Sequence, residues 1–80
     1  SLYGTEITDK GIEYLVLCDF KKLKKLDLNY NKITNKSVNH LVLCDFQHLK
    51  ELELDSTEIT DIKVLKAKYP KCKISNLKHN

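Results

Sequence analysis

Leu26 and Leu28 alternate with Asp27 and Asn29, and Leu52 and Leu54 alternate with Glu53 and Asp55. A period of two with one apolar face is the signature of a half-buried strand, so a short strand is expected at each pair. After each strand the period changes. Val38 and Leu41 sit three apart, as Ile12 and Leu15 do, which is one face of a helix. Helix starts are expected close to Asp9, Asn35 and Asp61, where Thr8–Asp9, Thr34–Asn35 and Thr60–Asp61 supply N-terminal capping chemistry. A third, shorter strand is expected near Cys72–Ile74. Lys71 and Lys73 flank it, a charged edge that resists further pairing.

The pattern is periodic over a longer distance as well. Residues 15–30 and 41–56 are two copies of one segment 26 residues apart, with ten of sixteen aligned positions identical. Ile7, Ile33 and Ile59 recur at the same spacing, each followed by Thr and then Asp or Asn. Fixed-period self-similarity means a core made by stacking copies of one unit. The core expected from it is Leu28, Leu54, Ile33, Ile59, Leu15, Leu41, Phe20 and Phe46.

The repeated unit reads L-x-x-L-x-L-x-x-(N/T)-x-I-T and resembles the leucine-rich repeat. The stretch TEITDKGIEYL (Thr5 to Leu15) is similar to the ITDxG-type repeats of F-box-associated proteins and mitochondrial assembly factors, and LKAKYPKCKI resembles the closing segment of such proteins. The resemblance covers residues 2–75. It implies an α/β fold: a right-handed solenoid of about three 26-residue repeats, with parallel strands on the concave side and short helices on the convex side. Residues 1–80 then form a single domain with repeats at about 2–25, 26–51 and 52–71 and a C-terminal cap at about 69–77. Asn31 stands where the family places an Asn that satisfies backbone groups leaving the strand. Thr5 and Thr57 hold that place in the other copies, and a hydroxyl does the job more weakly. Leu2 aligns with Leu28 and Leu54, so the first strand is entered at its second leucine. The expectation is an N-terminally incomplete solenoid whose open edge, Leu2, Tyr3 and Ile7, is covered by preceding repeats or by self-association.

The family resemblance implies a non-catalytic module that binds another protein. Two alternatives are a structural subunit or assembly factor of a larger, organellar or other, complex, and the substrate-recognition repeats of an F-box-type ubiquitin ligase adaptor. In such folds the outward residues of the strands line the binding face. Here that face is Tyr3, Lys25, Asp27, Asn29, Tyr30, Glu51, Glu53, Asp55 and Ser56, an acidic strip with an aromatic edge, suited to a basic partner. Asp27 and Glu53 should be like-charge neighbours, with Lys73 relieving Glu53 and Lys25 relieving Glu51.

Composition narrows the alternatives. The chain has 80 residues and 41% hydrophobic content, enough for a small core, and its longest apolar run, Tyr14 to Cys18, is five residues, too short for a membrane span. Three cysteines without tight spacing do not make a secreted disulfide framework, which favours an intracellular setting, cytoplasmic or else organellar. Cys18 and Cys44, in equivalent positions, are expected as reduced core thiols, a facultative disulfide being the alternative, and Cys72 as facing inward. All 14 basic residues are Lys, and the cluster Lys21, Lys22, Lys24 and Lys25 is not repeated in the next copy. No continuous basic track points to nucleic acid. His40 and Cys44 have a metal-compatible spacing, but Tyr14 and Cys18 replace them one repeat earlier, so no metal or cofactor is expected. No phosphate-binding loop or nucleophile–base set suggests an enzyme.

Overall fold

The computed structural model describes Leu2 and residues 4–78. Three helices and three strands alternate: α1 (Asp9–Leu15), β1 (Lys25–Asp27), α2 (Asn35–Leu43), β2 (Glu51–Glu53), α3 (Lys63–Lys68) and β3 (Lys73–Ser75). The strands form one parallel sheet in the order β1-β2-β3. Its register aligns Leu26 with Leu52 and Ile74. β1 and β2 are each followed by a helix that returns the chain to the same end of the sheet, as parallel pairing requires. Helix α2 packs against α1 on one side and α3 on the other. Leu2 and Gly4 add hydrogen bonds on the far side of β1: Leu2 N donates to Asp27 O at 3.0 Å and Gly4 N to Asn29 O at 2.8 Å.

The core lies between sheet and helices. Leu28, Leu52, Leu54, Ile33, Ile59, Ile12, Leu41 and Leu65 are fully buried. Three expected core positions depart from this. Phe20 is 39% exposed, Leu15 is only partly buried, and Cys18 is exposed. The cause is local. Beyond α1, Val16, Leu17 and Cys18 each donate a backbone N–H three residues back, to Glu13, Tyr14 and Leu15. That tighter winding ends α1 two residues earlier than α2 and turns the Cys18 side outward. Phe46, by contrast, is buried against the ring of Tyr69, 5.9 Å between centroids.

Polar side chains tie the repeats together. Asn31, 2% exposed, accepts from Ile7 N at 2.9 Å and donates to the carbonyls of Leu2 and Leu28 at 2.8 and 3.0 Å. Thr57 reaches only Leu54 O at 2.8 Å and Ile59 N at 3.3 Å, within its own repeat. Asp9 accepts from Thr34 N and Thr34 Oγ1 at 2.8 and 2.7 Å, and from Ser37 Oγ. One repeat on, Asn35 accepts from Thr60 N at 3.0 Å. Ser37 is fully buried, and a Cβ on its counterpart Gly11 would meet Ile7 Cγ2 at 3.3 Å, so this slot admits only small residues. Burial pushes the Asp9 carboxyl up, yet the hydrogen bonds from Ser37 and Thr34 with nearby Lys36 outweigh it and hold Asp9 below its ordinary value.

Helix starts follow the capping signals at Asp9 and Asn35, but α3 begins at Lys63, two residues after Asp61. There the cap is Asp61 itself, whose Oδ1 accepts from Lys63 N at 3.0 Å; neither Thr8 nor Ile62 makes a side-chain cap bond.

Candidate functional site

The outward residues of the strands form the candidate surface. Because β-strand side chains alternate, burying Leu26 and Leu52 obliges Lys25, Asp27, Glu51 and Glu53 to face the other way. The register sets Lys25 beside Glu51 and Glu51 beside Lys73, and it sets Asp27 beside Glu53. Opposite charges thus alternate along the first row, and like charges meet in the second. Lys25 answers the second row by crossing diagonally, its Nζ 3.3 Å from Glu53 Oε2. The ion pair on Glu53 thus comes from Lys25, where Lys73 was expected to relieve it and Lys25 to relieve Glu51. Glu53, and then Glu51, push the Lys25 ammonium up.

The third row is committed to the backbone. Asp27 Oδ1 accepts from Asn29 N at 3.0 Å, Asn29 Oδ1 from Asp55 N at 2.7 Å, and Asp55 Oδ1 from Leu77 N at 2.8 Å. Asn29 is consequently buried and is not an outward contact residue as the alternation alone implies. Asp55 is half-buried in the same ladder.

The next position bends the chain out of the sheet. Gly4, Tyr30 and Ser56 occupy it in successive repeats, all with positive φ, at 57°, 61° and 56°. The left-handed region suits glycine, but a Cβ there costs roughly 1–2 kcal/mol. Ser56 is half-buried and its Oγ has no hydrogen-bond partner among the described residues. Tyr30 keeps 49% of its surface exposed. It borders two clefts at the strand exits, one of about 570 Å³ shared with Lys32, Ser56 and Glu58, the other of about 380 Å³ shared with Glu6, Thr8 and Lys32. Strand alternation does not reveal this strain. The 26-residue alignment of Tyr30 with a glycine was the signal for it.

Of the remaining candidates, Tyr3 lies outside the described residues. Leu2 and Ile7 are half-buried against the core. Leu2 shares an apolar hollow of about 190 Å³ with Leu15, Phe20, Leu23 and Leu26. Cys44 is buried and Cys72 partly so; all three cysteines are free thiols. Burial, and then the neighbouring Cys18 sulfur, push the Cys44 thiol up. Cys44 Sγ donates to His40 O at 3.5 Å, so its helical neighbour engages it through the backbone and not through the imidazole. Among the described residues no group of three or more His, Cys, Asp or Glu is placed to share a metal ion. No described helix is long and apolar enough to cross a membrane.

With this geometry established, a leucine-rich repeat family model matches residues 21–42 and 47–62. The two matches cover the paired leucines of β1 and β2, the turns that follow and most of α2. The chain carries leucine-rich repeats over these residues. Leucine-rich repeats generally mediate protein–protein interaction, and the family is typically non-catalytic. No curated protein and no solved structure matches the chain. The leucine-rich repeat assignment explains the division of labour in the site: the leucines hold the stack, and the residues between them are left to vary.

Proposed function

We propose that this leucine-rich repeat chain is a protein-interaction module whose strand face receives a basic, lysine-bearing partner, with Tyr30 as the anchor. The observation that carries the reading is Tyr30 itself: a bulky side chain in a left-handed backbone slot, 49% exposed, at the border of the acidic rows. Glycine would fill that slot without strain, as Gly4 does one repeat earlier. Strain retained at an exposed aromatic marks a surface residue kept for what it touches. Tyrosine is also among the residues that dominate binding energy at interfaces. Asp27, Glu51 and Glu53 supply carboxylates on the same strand face, fixed by the sheet before a partner arrives.

The reading takes the stack as a right-handed solenoid of about three 26-residue repeats, the hand that parallel strand–crossover–strand units adopt almost always. A role as structural subunit or assembly factor, or as the recognition repeats of an F-box-type adaptor, would use the same face with a different partner. The test is binding of a fluorescein-labelled lysine-rich peptide to the chain, followed by anisotropy. Tyr30→Gly should leave stability within about 1 kcal/mol, since relief of strain and added unfolded-state entropy oppose each other. The same variant should weaken binding about tenfold or more, as loss of an anchor does. Unchanged binding by Tyr30→Gly and by Glu53→Gln would overturn the proposal.

A further inference from the structure

The edge of the stack where helices end and strands begin has a character opposite to that of the strand face. Leu17, in the turn after α1, is 82% exposed, and Leu43, the last residue of α2, is 69% exposed. They occupy the same position in successive repeats, 26 residues apart. Packed helices lie about 8–10 Å from one another, so the pair stands on neighbouring ridges. Tyr14, one turn before Leu17, adds a ring that is 58% exposed. Single exposed leucines are ordinary on protein surfaces. Two at one repeat position are a feature of the repeat. Stacking does not cover that position either, because α2 already has α1 and α3 packed on its two sides and Leu43 is still exposed.

Charge on this edge is one-sided. Residues 17–24, 43–50 and 66–71 hold seven lysines against two carboxylates, Asp19 and Asp45, with Glu51 following at the first position of β2. Lys21 and Lys22 lie four and five residues after Leu17, and Lys66 and Lys68 lie in the last turn of α3; all four are exposed. Sequence alone interrupts the basic character after the first repeat, since Gln47 and His48 replace Lys21 and Lys22. The fold restores it from α3, where Lys68 and Lys71 border one cleft with Asp45 and Gln47.

We infer that this edge docks an acidic amphipathic peptide segment of another protein, its apolar side chains seated on Leu17 and Leu43 and its carboxylates facing the lysines. Charge complementarity selects an acidic partner, and the protruding leucines select a protein over a nucleic acid. Leucines at the summit of the edge would hold a phosphate backbone away from the lysines. The chain also has no Arg for bidentate phosphate contacts. This surface is independent of the strand face and of Tyr30.

The probe is a fluorescein-labelled peptide with leucines at helical spacing separated by glutamates, titrated with the 80-residue chain at low salt. Control peptides carry lysine for each glutamate, or serine for each leucine. Binding of the acidic apolar peptide alone is expected. It should weaken about tenfold or more when Leu17→Ser and Leu43→Ser are combined, because apolar anchors carry most of the energy at such sites. Both leucines are exposed, so the double variant should keep its far-UV circular dichroism, and Tyr30→Gly should not affect this binding. The proposal is overturned if the leucine pair has no effect. It is also overturned if a labelled oligonucleotide binds with lysine dependence and outcompetes the peptide, which makes the edge a polyanion site. Sedimentation showing self-association that the double variant abolishes would assign the edge to a second copy of the chain instead.

Discussion

The first and second repeats share ten of sixteen residues over 15–30 and 41–56, yet they bury the shared residues differently. Phe46 is 5% exposed and Phe20 39%; Cys44 is buried and Cys18 exposed. The side chains are the same, so the difference lies in their neighbours. Tyr69 covers Phe46, and its hydroxyl lies 2.7 and 2.6 Å from the carbonyls of Leu41 and Cys44, donating to one of them at a time. Leu41 O also accepts from Cys44 N at 3.2 Å, while the Cys44 carbonyl lies past the end of α2, where the helix supplies no partner. One tyrosine from the following repeat thus closes the core of α2 and satisfies its end. Beyond α1 the corresponding groups are met by tighter turns of the chain itself. A repeat's burial is set by the repeat stacked on it, not by its own sequence.

The phenylalanine pair gives the largest contrast. Phe46→Ala should cost about 3–5 kcal/mol, much of the roughly 4–12 kcal/mol that a chain of this size possesses, while Phe20→Ala should cost about 1 kcal/mol or less. Urea denaturation of both variants measures this, and equal losses would break the comparison.

The asparagine position sharpens it. Asn31→Ala strands buried donors and acceptors in two repeats, for about 2–3 kcal/mol, whereas Thr57→Ala removes bonds within one repeat, for about 1 kcal/mol. Thermal unfolding should rank them in that order; the reverse ranking would mean that Asn31 does not join the repeats.

Tyr69 adds a pH signature. Burial, with Cys44 nearby, pushes its phenol up to about 12 from 10. The folded chain therefore holds this proton more tightly than the unfolded chain. Its contribution is complete below pH 10 and is lost as pH rises toward about 12. Tyr69→Phe should lower stability by about 1 kcal/mol at neutral pH and reduce the alkaline loss in that window. The difference between wild type and variant is the readout. An identical alkaline slope would refute the buried phenol.

The thiols give the smallest energetic effect. Under native conditions Cys18 should react with a thiol reagent at once, and Cys44 roughly 100-fold more slowly, because its exposure needs local opening. Equal rates would erase the distinction between the repeats.

Much of this was legible in the chain. The paired leucines give strand positions to within one residue, because only one face of a period-two segment can be buried, and the placement of Asn31 follows from its register. What escaped depends on groups distant in sequence. Cys18 and Phe20 read as core because their copies are core, but no residue plays Tyr69's part for them. Asn29 read as outward by alternation, yet Asp55 N draws it into the sheet. The two-residue shift of α3 reflects Asp61 capping from outside the helix. Of the candidate face, the carboxylates and Lys25 were legible from alternation. The diagonal from Lys25 to Glu53 needs the twist and reach of real side chains.

The bonds that cross repeats also govern how the chain reaches this state. Asn31 to Ile7, Asp9 to Thr34, Asn29 to Asp55 and Tyr69 to Cys44 all span 24 to 26 residues. Loop-closure entropy depends on span, at about 3 kcal/mol for 25 residues before constants, so each stage of assembly faces the same barrier. Among the described residues no hydrogen bond joins the two terminal segments, so none has to wait for the ends to meet. Folding can begin where β1 meets β2, where the leucine pairs are most complete, and extend outward in equal steps. Growth of such a chain by duplication adds another step of the same height, leaving the earlier ones unchanged.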